Sequence, residues 1–87
     1  MHETGMIRDL VRRIETEARG AGVARISGVA VWLGALSQMS ERHFREHFEE
    51  ETRGTIAEGA RLTLEVSEDP VHPDAQSVML RSVDLEV

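Results

Sequence analysis

The apolar residues Met6, Ile7, Leu10, Val11, Ile14 and Ala18 recur at spacings of three and four, with Arg8, Arg12, Arg13, Glu15 and Glu17 on the other side. This is the stripe of an amphipathic helix running from Thr4 to about Arg19. Thr4 is placed to cap it, and Gly20 and Gly22 to stop it. Immediately afterwards the period changes to two. Within Ile26 to Leu33, the residues Val29, Val31 and Leu33 share one parity, and Ala30 and Trp32 the other. A one-sided helix beside a one-sided strand buries both apolar faces by packing helix on sheet.

The same pairing recurs. Ser40 caps a second helix with Glu41 in its first turn, Phe44 and Phe48 as core anchors, and Gly54 at its close. A second strand follows from about Arg61 to Ser67, with Leu62, Leu64 and Val66 on one face. Beyond a loop holding Pro70 and Pro73, the last strand runs from Val78 to Val87. Its alternation changes phase, since Val78 and Leu80 have one parity and Val83, Leu85 and Val87 the other. A β-bulge near Arg81-Ser82 reconciles them. The expected fold is α+β, in the order helix, strand, helix, strand, strand. A small three-stranded sheet carries two helices packed on one face, all within one domain from residue 1 to 87.

Composition excludes several functions. An 87-residue chain holds one modest core. Its net charge of -6 makes nucleic acid and anionic membranes poor partners. There is no cysteine, which removes disulfides, thiol catalysis and thiolate-ligated zinc. No segment approaches the roughly 20 apolar residues of a membrane span, and charges interrupt the N-terminus too often for a signal peptide. A cytoplasmic protein is expected. No enzyme constellation emerges either. Glu49, Glu50 and Glu51 point in different directions around a helix, and Ser37 and Ser40 lack a third group to orient His43 as a base.

Metal chemistry has two candidate locations. At Met1-His2-Glu3, the α-amine, the His2 backbone nitrogen and the His2 imidazole can close small chelate rings, with Glu3 in reach of a fourth position. A nitrogen-rich, near-planar donor set suits Ni(II) or Cu(II). The competing reading is a frayed terminus with an exposed histidine. His43 and His47, four apart on the second helix, form a possible secondary metal pair, with Glu46 or Glu50 available as an oxygen donor. A solvated helix face accounts for the same pair more simply. His72, between two prolines, reads as loop punctuation.

The motifs Met1-His2-Glu3, Gly34-Ala35-Leu36-Ser37, the run from Thr52 to Leu62 and the closing stretch from Leu80 to Val87 together resemble the HypA/HybF family of hydrogenase and urease nickel-incorporation proteins. The resemblance covers residues 1 to 66 and 78 to 87. It implies a metallochaperone with Ni(II) as transient cargo at Met1, His2 and Glu3. It also implies two partners, a nickel-inserting GTPase and the precursor of a nickel enzyme. The sequence departs from the family in one large respect: the loop 67-77 stands in place of a zinc module with two CxxC pairs, so no structural zinc is expected. His43 and His47 occupy positions where the family usually has small residues. A second functional class therefore stays open, a truncated paralogue acting as a protein-interaction module with vestigial metal binding. Trp32, facing away from the helices, is expected to form an exposed apolar patch and to support a homodimer through that sheet face. The alternative is that the last strand folds Leu80 over the indole.

Overall fold

A computed structural model describes the backbone of residues 3–86 and the side chains of residues 5–86. Helix α1 (Glu3–Gly20) buries Ile7, Val11, Ile14 and Ala18, the expected stripe. The helix already includes Glu3, so Thr4 lies within its first turn and is not the cap. At the other end Gly22 adopts φ 72°, with its amide donating to Arg19 O at 3.0 Å and that of Val23 to Ala18 O at 3.1 Å. This pair of bonds around a left-handed glycine is a Schellman stop, and it turns the chain toward the sheet.

Strand β1 (Arg25–Leu33) is central. It pairs in parallel with β2 (Arg61–Val66) and antiparallel with β3 (Val78–Glu86), giving the order β2-β1-β3. A parallel neighbour requires a crossover, which α2 (Glu41–Thr52) supplies. Ser40 caps α2 as expected, its hydroxyl accepting from the His43 amide at 3.0 Å.

Three cross-strand rows build the helix-facing side: Val29 with Leu62 and Val83, Val31 with Leu64 and Leu80, and Leu33 with Val66 and Val78. At the outer edge Val66 stays 48% exposed; over the other residues of these rows Ile7, Ile14, Phe44 and Phe48 close from the two helices. Burying each such side chain fully contributes about 1.5–3 kcal/mol.

The pairing of β3 steps from Ala30↔Ser82 to Val31↔Leu80, which leaves Arg81 as the extra residue. That is the anticipated bulge, and it brings Leu80 and Val83 onto the same core despite their opposite parity. A second irregularity, at Ser27 of β1, has no counterpart in the sequence reading. It lets Ile26 and Val29 both face inward.

The expectation for Trp32 is overturned. The indole is 5% exposed, and Leu80 does not cover it, since Leu80 packs with the helix-side core. The reason is strand order. Because β2 and β3 flank β1, residues 67–77 must cross the end of β1 to join them. The crossing is fastened by Ser67 N donating to Leu33 O (2.9 Å), Gly34 N to Ser77 O (2.9 Å) and Leu36 N to Ala75 O (2.7 Å). His72 then lies against Trp32, and Ala75 becomes buried. Arg81 of β3 reaches Glu65 of β2 at 3.7 Å, so this ion pair spans β1 on the same face. The apolar patch is absent, and the argument for a homodimer through Trp32 falls with it.

Candidate metal centre

Met1 and His2 lie outside the described residues, and Glu3 is described only as the first residue of α1. What the fold determines is where that end of α1 stands. Gly5, Met6 and Asp9 line an open cleft of about 690 Å³ together with Ser37, Gln38, Met39 and Gln76. The first turns of α1, the β1–α2 connection and the crossing loop therefore meet at one place. Within it Gln38 holds φ 61°, a left-handed conformation that few residues other than Gly, Asn and Asp adopt. The Met39 amide donates to Ser37 Oγ at 3.4 Å, while the Met39 side chain drops into the core. Nothing in the residue pattern pointed to Gln38 or Gln76 as neighbours of α1, because their approach depends on the long-range loop crossing.

His43 and His47 are brought together. Their ring centroids are 4.7 Å apart with planes tilted by 42°, and His47 Nδ1 lies 3.9 Å from Glu50 Oε1. Among the described residues, no group of three or more His, Cys, Asp or Glu side chains is arranged to hold a metal. His72 has a different occupation. Its Nδ1 accepts the Asp74 amide at 2.9 Å, which secures the turn, in keeping with loop punctuation.

The run from Thr52 to Leu62 is scaffold. Thr52 donates to Phe48 O at 2.9 Å, and Thr55 Oγ1 donates to Thr52 O at 2.7 Å while accepting from Ala57 N at 3.0 Å. The Glu58 carboxylate accepts the Gly54 amide at 3.0 Å, and Arg25 donates to Glu58 O at 3.0 Å. Gly54 and Gly59 sit at φ 82° and 80°. These residue types are needed to satisfy a tight turn internally.

A profile described as hydrogenase/urease nickel incorporation, metallochaperone, hypA, matches residues 1–72. The chain belongs to the HypA family. The hydrogenase maturation factor HypA of Methylocella silvestris is 39% identical over 66 residues, which are 76% of this chain and 58% of that protein. HybF of Salmonella typhimurium is 38% identical over 65 residues, 75% of this chain and 58% of that protein. The chain thus spans little more than half the length of these HypA and HybF relatives. In fold, the solution structure of the Ni metallochaperone HypA from Helicobacter pylori is similar, with a TM-score of 0.80 at 19% identity, covering 99% of this chain and 98% of that one. The α+β arrangement expected from residue periodicity is therefore that of HypA.

Proposed function

We propose that this chain binds nickel and carries it toward the maturation of a nickel enzyme, a [NiFe] hydrogenase or a urease. The observation that carries the reading is the HypA match beginning at residue 1, which includes Met1-His2-Glu3. In this reading the Met1 amine, the His2 amide and imidazole nitrogens and a Glu3 donor hold Ni(II) as cargo. The chain works in the cytoplasm as a carrier, not a catalyst, alongside a nickel-inserting GTPase and an enzyme precursor. Among the described residues no helix is long and apolar enough to cross a membrane.

A donor set that must lose protons to bind makes the affinity rise with pH. The test is Ni(II) titration of the chain, of His2→Ala, and of protein extended before Met1. One planar, diamagnetic Ni(II) per chain is expected in the first and none in the other two. Equal affinity in all three refutes the assignment.

A further inference from the structure

The open cleft at the start of α1 adjoins the two residues that precede Glu3, namely Met1 and His2. Gly5, Met6 and Asp9 make its α1 wall, and Gln38 and Gln76 complete it from the β1–α2 connection and the crossing loop. Position 2 precedes Gly5, Met6 and Asp9 by three, four and seven residues, the spacing of one helix face. The core stripe of Ile7, Val11, Ile14 and Ala18 belongs to another face. Two residues extend at most about 7 Å. The register of α1 and the shortness of the terminus both direct it to the cleft.

A ligating imidazole donates its other ring N–H to a carboxylate, a carbonyl or water, which fixes the ring and raises its basicity. A Gln carboxamide oxygen is such an acceptor. Both glutamines stand on anchored backbone. Gln38, at φ 61°, lies between Ser37, whose Oγ accepts the Met39 amide, and Met39, whose side chain is in the core. Gln76 follows the buried Ala75, whose carbonyl accepts the Leu36 amide at 2.7 Å.

We propose that the cleft seats Met1-His2, with Gln38 and Gln76 as positioning residues whose carboxamide oxygens accept N–H groups of the His2 ring and the Met1 amine. The proposal rests on the nickel reading of the terminus. Neither glutamine ligates the ion, and the planar donor set stays that of Met1-His2-Glu3. The seat holds the donors together before the ion arrives, so less freedom is lost on binding.

The chain contains no lysine, so the Met1 α-amine is its single primary amine. Its rate of acylation by an acetyl N-hydroxysuccinimide ester therefore reports on the terminus without metal. In Gln38→Gly and in Gln76→Ala the amine should acylate severalfold faster than in the unsubstituted chain. Ni(II) affinity, measured by competition with a chromophoric chelator, should fall about tenfold or more in each. Gln38→Gly also separates positioning from folding, because glycine accommodates the left-handed backbone. Its urea midpoint should not fall, whereas a purely structural Gln38 would show lost stability with nickel affinity intact. Gln38→Glu keeps an acceptor and should retain the affinity. Acylation rates in both Gln38→Gly and Gln76→Ala equal to that of the unsubstituted chain overturn the proposal, as does planar Ni(II) binding of undiminished affinity in both. An unsubstituted chain that forms no planar Ni(II) species refutes the terminal reading instead. The acylation rates, taken without metal, then still decide whether the cleft seats the terminus.

Discussion

The His72 imidazole packs against the Trp32 indole, with ring centroids 5.0 Å apart and planes tilted by 47°. His72 Nδ1 is held by the Asp74 amide at 2.9 Å, so the turn fixes the ring and the ring shields the indole. The contact joins the loop between β2 and β3 to the one tryptophan of the chain.

That relationship sets the first prediction. Trp32 emission should be that of a shielded indole and should not change with protein concentration. His72→Ala should shift the emission to longer wavelength and raise acrylamide quenching. Trp32→Ala should lower stability by about 3–5 kcal/mol, the usual range for deleting a large buried aromatic side chain, measured by urea unfolding. Wild-type emission resembling that of free tryptophan would count against the packing described.

Gly34 supplies a second test. A Cβ added there would lie 2.2 Å from the Ala75 carbonyl oxygen, a backbone atom that cannot rotate away. Gly34→Ala should therefore lower stability by about 1–3 kcal/mol and loosen the crossing loop, visible as faster amide exchange at Gly34 and Leu36. At Gly20 nothing lies within 4 Å of the added Cβ and φ is not positive. Gly20→Ala should accordingly be neutral or stabilising by up to about 1 kcal/mol. Similar effects at the two positions would show that the loop is not seated on Gly34.

Zinc dependence is the third. The 87 residues contain no cysteine, and the Ser67–Ser77 crossing is held by backbone hydrogen bonds and the Trp32–His72 contact. A strong chelator should leave the thermal midpoint unchanged. A large drop would reveal a structural metal, with His43 and His47 the first residues to substitute.

Delivery is the fourth. The chain matches little more than half the length of its HypA and HybF relatives. These 87 residues should bind nickel yet fail by themselves to replace a full-length relative in a hydrogenase maturation assay, the outcome expected where docking draws on parts of those relatives outside the matched residues. Full complementation would contradict this.

Residue periodicity alone determined which residues of α1, α2 and the three strands are apolar on one side, and hence the α+β class. It also indicated a bulge near Arg81-Ser82, because an extra residue reconciles a change of parity within one strand; the pairing register then singles out Arg81. Met1-His2-Glu3 and the four-residue spacing of His43 and His47 can be read from the sequence as candidates only, since chelate spacing is a property of neighbouring residues while coordination is not. Tertiary structure alone decided that β3 lies across β1 from β2, and everything at the second sheet face follows from that. Parity shows that Trp32 points away from the helices, but not what meets it there. His72 reaches it from a polar, proline-bearing loop that has no periodicity to read. The Gly34–Ala75 approach and the Arg8–Glu51 pair belong to the same class, for both join segments about 40 residues apart whose meeting depends on the path of the whole chain.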